Sequence, residues 1–107
     1  MAQFMYILRP VRLDILTGRG LTADEGRLLV EHFVYLQGLL AHGSLKLAGR
    51  TLTSGPETMG IAVFEAEDED AARAIMAADP AVSEGMMTAE VFPFRIALMA
   101  DGQGVAG

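Results

Sequence analysis

The segment "TADEGRLLVEHFVYLQGLLAHG", residues 22 to 43, constrains the fold of this chain more than any other feature. Thr22 followed three residues later by Glu25 is a capping box, in which each side chain takes a backbone N–H of the other residue just ahead of an apolar run. Gly43 can adopt the left-handed conformation that closes helices, so the spacing predicts a helix from near Thr22 to near His42. At roughly 100° per residue, Leu29, Phe33, Leu36 and Leu40 centre its apolar face, with Val30 and Val34 to one side and Leu28 and Leu39 to the other. Arg27, Glu31, Gly38 and His42 form the polar stripe. His32 falls between Leu28/Leu39 and Leu29/Leu36, and is therefore directed inward or into a cleft beside the core.

Short strand-like segments surround this helix. "QFMYILR" alternates Phe4, Tyr6 and Leu8 with Met5 and Ile7 and reads as a first strand ended by Pro10. "PVRLDILTGRG" reads as a connection. "SLKLAGRTLT" and "MGIAVFEAE" read as a hairpin of second and third strands across the turn residues "SGPE". "EDEDAARAIMAAD" is a second helix with an acidic first turn and a thin stripe of Ala71, Ala72, Ile75 and Ala78, small enough for close packing on a sheet. "MTAEVFPFRIALM" is a fourth strand, placed at an edge because Pro93 cannot donate a ladder hydrogen bond. The order βαββαβ predicts an α+β, ferredoxin-like domain over residues 1–99: a four-stranded antiparallel sheet, strands 1 and 3 central, both helices on one face. Strand residues on both sides are apolar, so the open face is expected to meet a second subunit. Residues 100–107 have nothing to bury and are expected to be disordered.

Composition removes several classes of function. The 107 residues make one core, and 51% hydrophobic content is rich for so short a chain. A formal charge of -6, with eight basic residues scattered along the chain, argues against nucleic acid and anionic membrane surfaces, yet leaves a local arginine free to hold a small anion. No apolar run reaches the roughly 18 residues of a membrane span and no leader is evident, so a cytoplasmic protein is expected. Without cysteine there are no disulfides, thiolate metal sites or cysteine nucleophiles.

His32 has two readings that spacing alone does not separate: a hydrogen-bonded core histidine, or a general acid/base that exchanges protons near neutral pH. Arg50, beside a glycine in an otherwise apolar strand, either clamps a substrate carboxylate through its planar fork or serves as an ordinary edge-strand charge. Tyr35 either lines the cavity of His32 or packs. Other signals fail. "GQGVAG" matches G-x-G-x-x-G but has no helix after it. His32 and His42 lie about 15 Å apart along one helix, too far to share a metal. "EAEDED" lacks the spacing of a calcium loop, and the seven methionines are gap-fillers of a core. No cofactor and no metal are expected.

"EHFVYL", the closing Gly43, "LAGRT", "GIAVFEAEDEDAARAIMAADP" and "GMMTAEVFPF", in this order and spacing, resemble the YCII-related (YciI-like) family. The resemblance implies a ferredoxin-like subunit that dimerises as an α/β barrel, with an active site around a helix histidine and the aspartate of an "ADP" motif. At matching positions these are His32 and Asp79. An aspartate bound to one ring nitrogen fixes the tautomer and raises the basicity of the other. Asp79 before Pro80 also has a purely local role, as N-cap of a new helical turn. Relatives of this family and fold include dehydrochlorinases, muconolactone isomerases and small monooxygenases. The expectation is a homodimer that binds a small anionic, cyclic or aromatic-derived metabolite and catalyses isomerisation or elimination, with His32 as acid/base, Asp79 orienting it and Arg50 and Tyr35 contacting substrate. A non-catalytic ligand-binding or assembly module is the alternative. The two differ in whether His32 and Arg50 face one solvent-reachable cavity.

Overall fold

The computed structural model of the chain describes residues 1–17 and 19–100. The tail lies outside them from residue 101 onward, together with "GQGVAG". Eight elements follow in the order β1 (Ala2–Pro10), α1 (Asp14–Thr17), α2 (Ala23–Ala41), β2 (Leu45–Arg50), β3 (Gly60–Ala66), α3 (Glu69–Ala78), α4 (Pro80–Ser83) and β4 (Met87–Pro93). The sheet is antiparallel with strand order β2-β3-β1-β4, so the two central strands and the edge position of Pro93 agree with expectation.

Register sets which residues meet the helices. Phe4, Tyr6 and Leu8 pair with Phe64, Ala62 and Gly60, and all six are buried. The alternate set, Met5 and Ile7 beside Val63 and Ile61, faces the other way, extended by Leu47 on β2 and Phe92 on β4. Phe64 is the centre of the helix-side layer: the Tyr6 ring meets it edge-on at 5.5 Å and the Phe4 ring lies 6.1 Å away. Among the described residues no helix is long and apolar enough to cross a membrane.

The strand ends fall short of the sequence pattern for identifiable reasons. β2 was expected to run to Thr53 but stops at Arg50, because Met59 N–H is taken by the Thr51 hydroxyl at 3.0 Å and further hydroxyl contacts join Thr51, Thr53 and Thr58. β4 stops at Pro93 rather than Met99. Beyond it, Phe94 N–H donates to the Gln3 carbonyl and Ile96 N–H to the Gln3 side chain. The connection after Pro10 contains α1, too short to leave a period in the sequence, whose Ile15 is only 1% exposed.

The long helix begins at the expected capping box, with Thr22 and Glu25 exchanging bonds of 3.0 and 3.1 Å, and ends at Gly43 with φ +89°. The bond from the Thr22 backbone N–H holds the Glu25 carboxyl below the ordinary range, helped by Arg12. Its roll about its axis differs from the expected one. Leu28 and Leu36 are buried, with Tyr35 and Leu39 packed beside them, whereas Phe33, Val30, Val34 and Leu40 are exposed. Apolar residues run most of the way round this helix, so periodicity defines its inner face poorly. His32, one turn from both Leu28 and Leu36, sits between these two buried residues.

The two residues that separate these rolls can be tested directly. Leu36→Ala should cost about 2–5 kcal/mol in urea unfolding, while Phe33→Ala should change stability by less than about 0.5 kcal/mol. Equal losses at both positions would place Phe33 back in the core.

Candidate functional site

Asp79 stands at the junction of two helices. The residue before a proline is disfavoured in helical conformation, so Asp79, at φ -62° and ψ 124°, ends α3 and serves as N-cap of α4 with Pro80 in its first turn. Its Oδ1 accepts from the Ala81 N–H at 3.0 Å. The local role read from "ADP" is therefore present, and it aims the carboxylate inward, where the side chain is fully buried.

Two more donors meet it there. His32 Nδ1 lies 2.8 Å from both carboxylate oxygens, and the Tyr6 hydroxyl donates to Oδ2 at 2.9 Å. A carboxylate only accepts, so Nδ1 is the donor, and in the neutral imidazole the lone pair then lies on Nε2. Among the described residues Nε2 has no partner, and the His32 side chain keeps 15% of its surface exposed. Burial, followed by the charge of Asp79 and the hydrogen bond to it, pushes the Tyr6 hydroxyl far above its ordinary value. Tyr6 therefore remains a donor throughout the physiological range. The sequence reading missed it, because a tyrosine in an alternating strand looks like any core aromatic; the only available signal was a polar tip in a fully inward position.

His32 forms part of the wall of a cavity of about 400 Å³, within the range of small-molecule pockets, roughly 300–1,000 Å³. Leu29, Phe33 and Leu36 come from α2, Leu8 and Met87 from the sheet, and Ile15 from the unforeseen α1. Arg50 lies at the same cavity, so His32 and Arg50 share one space. Arg12 ties α1 to the start of α2 through Asp14 at 3.4 Å and through Glu25, holding that side of the cavity in place. Tyr35 is not among the lining residues: its hydroxyl donates to the Ile75 carbonyl at 2.6 Å, joining α2 to α3, and burial raises its hydroxyl above the usual value. The structure thus brings His32 against Asp79 and sets His32 and Arg50 on one cavity, whereas the Tyr35 hydroxyl is directed to Ile75.

A four-stranded antiparallel sheet in β2-β3-β1-β4 order with its helices on one face defines a small α+β domain of ferredoxin-like architecture. The chain belongs to the YCII-related domain family, whose model matches residues 13–95. Among solved structures, its fold is similar to that of 5-chloro-2-hydroxyhydroquinone dehydrochlorinase (TftG) from Burkholderia phenoliruptrix in complex with 2,5-dihydroxybenzoquinone, at a TM-score of 0.61 and 23% identity, covering 86% of this chain and 93% of that one. No curated protein sequence matches it.

Tyr6→Phe isolates one hydroxyl of this arrangement. It should lower stability by about 1–3 kcal/mol by leaving a buried carboxylate oxygen short of a donor. The sign of the alkaline effect follows from the raised value: above pH about 10 the unfolded tyrosine loses its proton first, so the stability it supplies is present below that pH and lost above it. Urea unfolding from pH 9 to 11 should show the variant losing stability less steeply, by up to about 1.4 kcal/mol per pH unit. An identical slope in both proteins would mean that Tyr6 is not a buried donor.

Proposed function

We propose that the protein is a small cytoplasmic homodimeric enzyme that works without a cofactor, using His32 as general acid/base and Asp79 as its orienting partner, on a small cyclic or aromatic-derived anionic metabolite. The observation that carries this reading is the Nδ1 contact between His32 and a fully buried Asp79 on the wall of a cavity that also holds Arg50. A core histidine needs only a satisfied ring. Here one nitrogen is satisfied and the other is left beside space large enough for a ring.

The chemistry follows from that arrangement. Nε2 takes a proton from a carbon or hydroxyl of the bound ring as its electron pair moves into the ring system. In an isomerisation the same proton returns at another carbon; in an elimination a leaving group departs with its bonding pair and the proton later goes to water. In both, Asp79 stabilises the imidazolium that forms, and Arg50 neutralises negative charge on the substrate. The dehydrochlorinase activity of the fold neighbour, and the dihydroxylated quinone bound to it, support elimination from an oxygenated ring.

NMR titration of the His32 imidazole tests the pair. The ring should titrate reversibly in the folded protein, with a midpoint that moves in Asp79→Asn, while the exposed His42 stays unchanged. A His32 resonance protected and unresponsive until unfolding would make it a core residue and favour the binding-module alternative. The dimer is proposed to form through the open sheet face of Met5, Ile7 and Leu47, as an α/β barrel. Light scattering should give twice the 11.4 kDa chain mass, reduced to one chain by Ile7→Lys; a monomeric native protein would overturn it.

A further inference from the structure

The arginine beside the catalytic cavity also borders a second space. An outer cavity of about 510 Å³ is lined by Leu13, Asp14, Arg19, Arg50, Leu52, Thr53 and Ser54, so Arg50 stands between the two. The charges of the chain are distributed unevenly around it. Arg12, Arg27, Lys46 and Arg73 each lie within ion-pair distance of a carboxylate. Arg9, Arg19, Arg50 and Arg95 have no such partner among the described residues, and two of these four line this one cavity. In a chain of net charge -6, this is a local positive field where the chain as a whole repels anions. Asp14, the acid at the rim, is 3.4 Å from Arg12, which offsets its charge.

The mouth is also held in shape. The Arg50 guanidinium donates to the Thr51 carbonyl at 3.1 Å, which fixes one nitrogen and leaves the rest of the fork to other acceptors. The Thr51, Thr53 and Thr58 hydroxyls form a chain at 2.9 Å per link, which ties the loop after β2 together. Thr53 is occupied by that chain, while Ser54 is free among the described residues. Leu13 and Leu52 supply apolar walls between the charged groups.

We propose that the two cavities form one bipartite site for a cyclic organic acid, its ring in the inner cavity beside His32 and its carboxylate carried outward on a short aliphatic arm to Arg19 and Arg50. Apart from His32 and Arg50 the inner lining is apolar or glycine, which suits a ring, and the outer space adds a second guanidinium, so that it offers two forks without a carboxylate partner among the described residues. This deepens the proposed function by specifying where the negative charge of the substrate lies relative to the reacting ring. It rests on the inner cavity being the ring site, and does not depend on proton transfer by His32.

Binding of 3-phenylpropionate, its uncharged amide and ringless propionate, followed by amide chemical shifts at low salt, tests the proposal. The acid should bind about tenfold more tightly than the amide, and more tightly than propionate by at least as much. Arg19→Gln and Arg50→Gln should each remove most of that advantage, and Arg19→Gln, which lies outside the inner cavity, should leave the amide's affinity unchanged. Equal affinity for acid and amide, indifference to Arg19→Gln, or no saturable binding of the acid would overturn it. Because binding is read without turnover, an acid that binds normally while His32 fails to titrate would sink the catalytic reading and leave the bipartite site standing.

Discussion

A fully buried carboxylate is expensive unless its lone pairs are taken, and the arrangement of this molecule is organised around satisfying that of Asp79. Its three donors come from three different places: the backbone of Ala81 in the turn it caps, the hydroxyl of Tyr6 on a central strand, and the imidazole of His32 on the long helix. Together they join β1, α2 and the α3–α4 junction at one point, on the helix side of the sheet. Among the described residues no buried side-chain nitrogen or oxygen lacks a partner, so the polar centre is compatible with the apolar layer around it.

That satisfaction also creates the asymmetry of the imidazole. Asp79 draws the Nδ1 side of the ring inward, and the other nitrogen is left toward the cavity between α2, α1 and the sheet. The cavity exists because the residues opposite His32 are small or set back. Gly60 lies on the sheet face below it, where a Cβ would come into ordinary contact with Leu8, and Ala48 and Gly49 occupy the neighbouring edge strand. Larger side chains there would fill the space that makes the histidine reachable. Arg50 follows directly at the end of the same strand, which places a cation at the cavity without burying it.

Much of this was legible because it is local. The capping box, the glycine closure of α2, the edge position of Pro93 and the N-cap role of Asp79 each depend on a few neighbouring residues whose backbone preferences are strong. The same locality explains the errors. α1 spans four residues and leaves no period, and β2 ends where a threonine hydroxyl replaces a carbonyl in the ladder. The roll of α2 failed for another reason: with Val30, Phe33, Val34 and Leu40 as apolar as the residues that are buried, the sequence offers nearly equivalent faces, and only the sheet and α4 choose between them.

By itself, then, the sequence determined the order of the four strands and two longer helices, the central pair of strands, a histidine on a face of the long helix and an aspartate whose proline neighbour forces it out of helical conformation. Tertiary structure alone decided that this aspartate would be buried, that Tyr6, 73 positions away, would donate to it, and that Tyr35 would turn to Ile75 rather than to the cavity. Backbone preferences act between neighbours and can be read along the chain. Which side chains share a desolvated space is set by how helices seat on a sheet, and that depends on the packing of every residue between them.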